Sequence, residues 1–171
     1  MSLDVSRIKV IAFDVFGTLV KFDGVPHEEI KAYADHIRKP EWSPLVLPDS
    51  WKNLKAFDDS QYTVDLLRLH QFMVVTLSNG PLGIQAHLLR NNAIPVDAII
   101  PLEIARVFKP NPRAYQAASE ILGIPPENWL MVTANEKFGD LEASKLIGMQ
   151  SQLIRGDELP QAYNLASILG C

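Results

Sequence analysis

The stretch KVIAFDVFGTLV, Lys9 to Val20, decides the fold. Ile8 to Phe13 is an almost continuous apolar run of β-favouring residues with no polar face, the pattern of a strand buried on both sides. It ends in one carboxylate, Asp14, and Gly17-Thr18 then turns the chain. Phe72 to Leu77, Val96 to Ile100, Trp129 to Val132 and Gln152 to Ile154 read as four further short strands. Helical segments lie between them: Tyr62 to Leu69 with Asp59-Ser60 as its cap, Leu82 to Arg90, Ala114 to Leu122 between Pro112 and Gly123, and Gly139 to Ile147 before Gly148. Strand alternating with helix predicts an α/β fold: a mostly parallel five-stranded sheet with helices on both faces. Ligands of such sheets bind beyond the carboxyl ends of the strands.

One segment breaks the alternation. Residues 21–50 hold a turn at Asp23-Gly24, a polar helix near His27 to Arg38 and a loop with Pro40, Pro44 and Pro48. This is an insertion after the first strand of what is otherwise one domain over 1–171. The length suits one domain with a substantial core. Hydrophobic residues make up 47% and charged residues 21%, ordinary for a globular chain, and the net charge of −4 gives no general attraction to nucleic acid or anionic lipid. No apolar segment is long enough to span a membrane, and the N-terminus does not read as a signal peptide. One cysteine, Cys171, makes no internal disulfide, so a cytoplasmic location is expected. The four histidines lack metal-ligand spacing, and LSNGPLG lacks the third glycine and distant acid of a dinucleotide fingerprint.

The strands end in chemistry. The first delivers Asp14 and then Thr18. The second delivers Ser78-Asn79-Gly80, and the fourth Thr133 and Asn135, followed by Asp140. Lys109 stands in RVFKPNP, before the helix that Pro112 opens. In a parallel sheet these groups converge on one edge. Taken singly, a strand-end Asp or Ser is most often a cap or turn residue, and a lysine before proline is most often solvated. Together they define a crevice holding a carboxylate, hydroxyl and amide groups, and one cation.

DVFGTL, TLSNG, VFKPNPRAY and NEKFGDLEASKLIGM fall in the order of the four motifs of the haloacid dehalogenase superfamily, and from Ile8 to about Met149 the chain resembles it. The resemblance implies a Rossmann-like fold and a covalent aspartyl intermediate. It makes Asp14 the nucleophile, Thr18 and Ser78 its positioning groups and Lys109 the balancing cation, with Asn135 and Asp140 in the fourth motif. The insertion at 21–50 then stands where the family carries its cap, in minimal form.

Phe16 selects the branch. Phosphatases of the superfamily carry a second Asp there as general acid, because an alkoxide needs a proton to leave. Halide needs none. Phe16, LSNG, Tyr115 six residues after Lys109, and VTAN at 132–135 resemble the 2-haloacid dehalogenases. That resemblance adds Phe16, Asn79, Tyr115 and Thr133 as substrate-side residues, and Arg38, the one arginine of the insertion, as candidate for the substrate carboxylate. The implied partner is a small anionic substrate, with no nucleic acid or membrane and no cofactor. Lys109 is expected to help keep Asp14 ionised.

Two features pull the other way. Asp140 is five residues from Asn135, the phosphatase spacing, whereas the dehalogenases' spacing of three would put Phe138 at the acid's place. The small insertion predicts an open site, closed by a homodimer partner or a bulky substrate. Two other functions therefore stand beside the dehalogenase: a phosphohydrolase using Mg²⁺ on Asp14 and Asp140, and a scaffold with little catalysis. Trp42 and Trp51 are candidates to wall a pocket.

Overall fold

A computed structural model describes residues 2–171. β1 (Val10–Phe13) is the centre of a five-stranded, all-parallel sheet of order β3-β2-β1-β4-β5. β2 (Met73–Leu77) and β4 (Trp129–Thr133) flank it, with Val10 opposite Met73 on one side and Trp129 on the other. β3 (Ala98–Ile100) and β5 (Gln150–Leu153) form the edges. The described helices are α1 (His27–Ile37), α2 (Ser60–Leu69), α3 (Leu82–Asn91), α4 (Leu102–Ala105), α5 (Pro112–Leu122), α6 (Asp140–Leu146) and α7 (Ala162–Ile168).

The apolar run of β1 is explained by burial on both faces: all four residues are fully inaccessible. Ile11 and Phe13 enter one core with Val74, Leu130 and Val132, joined by Val64, Leu67 and Leu88 from α2 and α3 and Leu165 from α7. Val10 and Ala12 point the opposite way, as strand alternation requires, and meet Val75, Leu77 and Met131 with Ala114 and Ala118 of α5. The chain runs outward from β1 through β2 to β3, then crosses back to build β4 and β5 on the other side. The strand order therefore reverses at β1, where a crevice opens beyond the carboxyl ends.

The departures from the sequence reading have local causes. β5 starts two residues early, at Gln150, because its pairing with β4, not its apolarity, defines it as an edge strand. Asp59 precedes α2 but its carboxylate makes no cap; it accepts instead from Arg155 at 2.9 Å. α5 follows expectation, with Asn111 accepting from the Arg113 N–H at 2.9 Å, Pro112 in the first turn and Gly123 left-handed at φ 68°. The insertion begins and ends at a pinch: Val20 bridges Ala56, and the Lys21 N–H donates to the Lys55 carbonyl at 2.8 Å.

Candidate active site

Asp14 leaves β1 with its backbone N–H donating to the Val132 carbonyl of β4 at 2.9 Å, which ties the acid to the central strands. The Thr18 hydroxyl donates to Asp14 Oδ2 at 3.2 Å and accepts from the Ala134 N–H at 3.0 Å. Arg155 Nε donates to the Thr18 carbonyl at 2.9 Å, while its guanidinium lies 3.7 Å from the Phe57 ring centroid. Arg155 thus fixes the turn that aims Asp14. No sequence pattern singled it out, because its role depends on contacts with residues far away in the chain.

Lys109 is 1% exposed, and its Nζ bridges two carboxylates: Asp14 Oδ1 at 3.2 Å and Asp140 Oδ2 at 3.1 Å. Asn79 grips its backbone from both sides, accepting from the Lys109 N–H at 2.7 Å and donating to its carbonyl at 3.0 Å. The Tyr115 hydroxyl donates to Asp140 Oδ1. Two carboxylates, Asp140 fully buried and Asp14 15% exposed, against one ammonium leave the cluster one negative charge in excess. Burial raises Asp14 above the usual carboxylate range; Lys109 opposes the rise and Asp140 adds to it. Lys109 therefore does not hold Asp14 at an ordinary carboxylate value, as its proximity alone suggests. Burial disfavours the Lys109 charge, but the two carboxylates outweigh it and raise its pKa. Burial first, then Asp140, raises Tyr115, which stays a protonated donor.

The ambiguous spacing of the last motif resolves in three dimensions. Gly139 takes φ 108°, where an added Cβ would also meet Pro110 at 3.1 Å, and this left-handed turn carries Asp140 back to Lys109. Phe138, three residues after Asn135, lies with its ring centroid 5.7 Å from Lys109 Nζ and lines the crevice. Asn135 also lines it, exposed, with its backbone N–H donating to the Thr133 hydroxyl. Thr133, Tyr115 and Ser78 are buried behind the crevice wall. Their contacts are with the Asn135 backbone, Asp140 and the Gly80 N–H, so Thr133 and Tyr115 support the site from behind instead of facing substrate, and Ser78 braces its own turn and makes no bond to Asp14 among the described residues.

The crevice is a cavity of ≈ 170 Å³ over Asp14, roofed by α1 through Tyr33 and Ile37, with Arg38 at the rim. The open site expected from a minimal insertion is partly covered, and the Asp14 side chain stays 15% exposed. Phe16 packs against Phe22, Tyr33 and Trp51 at centroid distances of 5.9, 5.9 and 5.2 Å, and this aromatic cluster fastens α1 down. Trp51 is fully buried as a second layer, its indole donating to Glu29 of α1 at 3.0 Å; Trp42 lies outside the crevice, on a neighbouring cavity. Tyr33 is a wall residue that sequence reasoning missed. Burial and the two carboxylates raise its pKa, so its phenol stays neutral beside Asp14. Gly80 is required beneath Phe16, where an added Cβ would stand 2.6 Å from Cε2. Gly80→Ala is expected to destabilise by about 1–3 kcal/mol in urea denaturation and to loosen α1, measured by faster proteolysis near residues 21–55. An unchanged urea midpoint and unchanged cleavage would show the cluster to be dispensable.

Asp14 and Asp140, the pair expected to hold Mg²⁺ in a phosphatase, do not fit a metal in this arrangement. The Lys109 ammonium takes the space between them, and no cluster of three or more acidic, histidine or cysteine ligands forms among the described residues.

A Rossmann-like sheet with an Asp–Lys–Asp centre at the carboxyl end of its middle strand defines a class, and known proteins agree with it. The sequence is 27% identical to (S)-2-haloacid dehalogenase 4A of Burkholderia cepacia over 124 residues, 71% of this chain and 53% of that protein. It is 30% identical to an (S)-2-haloacid dehalogenase of Pseudomonas putida over 125 residues, 71% of this chain and 55% of that one. The chain spans about half the length of the curated relatives it matches. No protein-family model matches the sequence. A defluorinating L-2-haloacid dehalogenase shares the fold at a TM-score of 0.78 and 22% identity, over 96% of both chains. The Xanthobacter autotrophicus L-2-haloacid dehalogenase with chloropropionic acid covalently bound matches at 0.72 and 20%, over 88% of this chain and 79% of that one. A phosphatase from Thermococcus onnurineus matches as well, at 0.72 and 20%, over 95% and 98%, so the fold alone does not choose the reaction. The chain shares the fold of the haloacid dehalogenase structures, and the curated proteins its sequence is similar to are haloacid dehalogenases.

Proposed function

We propose that the chain is a hydrolase that displaces halide from a small 2-haloacid through an aspartyl ester. One observation carries the reading: Lys109 bridges Asp14 and Asp140 at 3.2 and 3.1 Å, beside Phe16, which offers a leaving group no proton. The names of the sequence relatives support it. Asp14 attacks the carbon bearing the halogen; a C–O bond forms as the C–halogen bond breaks, and halide leaves with the electron pair. Water then adds to the ester carbon of Asp14, whose carbonyl Lys109 polarises. The alcohol oxygen departs with one proton of that water, the other goes to solvent, and the carboxylate is restored beside a 2-hydroxyacid.

Arg38 at the rim holds the substrate carboxylate, and Phe16, Tyr33 and Phe138 exclude bulk water. Thr18 aims Asp14; Asn79 and Tyr115 hold Lys109 and Asp140; Ser78 and Thr133 brace the two strand-end turns, and Asn135 faces the substrate. A cavity of ≈ 170 Å³ is below the usual range for drug-sized ligands and suits a short acid. We read residues 21–50 as the cap of a single-domain enzyme that is cytoplasmic, needs no cofactor and binds neither nucleic acid nor membrane. No described helix is long and apolar enough to cross a membrane.

The test is halide release from 2-chloropropionate. Turnover is expected to be unchanged by EDTA. Because Asp14 acts ionised and its pKa is raised, the rate should fall on acidification above the pH of an ordinary carboxylate. Because the Lys109 pKa is also raised, its ammonium should persist across about pH 7 to pH 10, with no alkaline loss from this group. Absence of halide release throughout that range, or Mg²⁺-dependent phosphate release from an aryl phosphate, would overturn the reading.

A further inference from the structure

A second, larger cavity of ≈ 540 Å³ adjoins the crevice and shares Ile37, Arg38, Lys109 and Phe138 with it. Its outer wall carries three more cations, Lys39, Arg106 and Arg113, and no Asp or Glu. All three are exposed, and none has a carboxylate within 4.0 Å among the described residues. In a chain of net charge −4 this is a local concentration of unneutralised positive charge.

The cavity also offers flat surfaces. Trp42 and Phe108 stack at 6.2 Å with an interplanar angle of 29°, and the Arg106 guanidinium lies 5.7 Å from the Trp42 ring centroid. Arg106 is held at φ 50°, a left-handed conformation that a non-glycine residue adopts at a cost. Among the described residues the buried Trp42 indole N–H finds no acceptor. Cations and planar faces are the complement of a planar anion. The volume lies in the range that takes a ring-sized ligand, which the crevice does not.

We propose that this chamber is a binding site for the planar, anionic remote part of a larger substrate. The preferred substrate class is then a dianion: a 2-haloacid whose reacting carbon enters the crevice and whose body is a ring bearing a second carboxylate. The assignment of the haloacid end rests on the dehalogenase reading; the chamber's affinity for a planar dianion does not.

The experiment separates the two. Calorimetric titration with terephthalate and with benzoate measures the chamber without catalysis. Terephthalate is expected to bind at least about tenfold more tightly, to weaken with salt, and to lose about tenfold in the double variant Lys39→Glu/Arg113→Glu, whose positions are exposed. Equal binding of the two anions, no binding at millimolar concentration, or indifference to the double variant would overturn the proposal. Halide release from 2-chloro-2-(4-carboxyphenyl)acetate is then compared with that from 2-chloro-2-phenylacetate. A lower KM for the dianion, lost in the double variant while 2-chloropropionate turnover is unchanged, supports the assignment. No halide from either aryl compound, with 2-chloropropionate still turned over, overturns the assigned substrate class; no halide from 2-chloropropionate either, with terephthalate binding intact, rejects the dehalogenase reading and leaves the chamber standing.

Discussion

Asp14→Asn is expected to abolish halide release from 2-chloropropionate, by at least about a thousandfold, and at the same time to make the protein more stable at neutral pH. The first effect follows from chemistry: an amide oxygen is a poor nucleophile, and Phe16 and Tyr33 nearby offer no substitute carboxylate. The second follows from the raised pKa of Asp14. An acid whose folded-state pKa lies above its unfolded value disfavours folding wherever the unfolded chain is ionised, and ceases to do so once pH falls below the unfolded value. Removing the charge leaves Lys109 with Asp140 at 3.1 Å and relieves the one-charge excess. The urea midpoint of Asp14→Asn should exceed that of the wild type near about pH 8, and the difference should vanish toward about pH 3. Single turnover of the wild type in ¹⁸O-labelled water should place label in the peptide containing Asp14. Residual activity above a hundredth of wild type, or label found only in the product, would move the nucleophile elsewhere.

Lys109→Met is expected to be the most destabilising single change, by about 3–5 kcal/mol at neutral pH. Methionine fills the space but leaves Asp14 and Asp140 buried with no cation between them. Asp14, already raised by burial, loses the cation that opposes the rise, so the loss is largest at high pH and shrinks as acid protonates it. Urea denaturation near about pH 8 and about pH 5 measures this. If the variant fails to fold at pH 8, Lys109→Met/Asp14→Asn should rescue it, because one of the two unpaired charges is gone and the remaining carboxyl keeps its Tyr115 donor. A loss independent of pH, or a double variant no better than the single one, would mean that Lys109 matters for packing and not for charge.

Much of this arrangement is legible in the chain itself. Ile8 to Phe13 announces a strand buried on both faces, and its end announces Asp14, because a run with no polar alternation has nowhere else to sit than between two helical layers. Five such runs with helices between them lead to the parallel sheet, and the sheet predicts convergence of Asp14, Asn79, Lys109 and Asn135. β5 is less readable: Gln150 to Leu153 is an edge, so a neighbour's hydrogen bonds, not apolarity, set its limits. Asp59 misleads as a cap because a distant arginine competes for its carboxylate.

The sequence by itself determined the fold, the place of Asp14 at a strand end and the lack of a proton donor at Phe16, since each rests on residue type or on a local period. Only the tertiary structure decided the rest. It chose Asp140 over position 138 as the acid at Lys109, through one left-handed glycine turn. It showed that a short helix and an aromatic cluster cover part of the crevice, a property of packing that insertion length does not encode. It also set the charge state of the centre, because the pKa of Asp14 depends on burial and on two groups that lie 95 and 126 residues away in sequence and meet only in the folded chain.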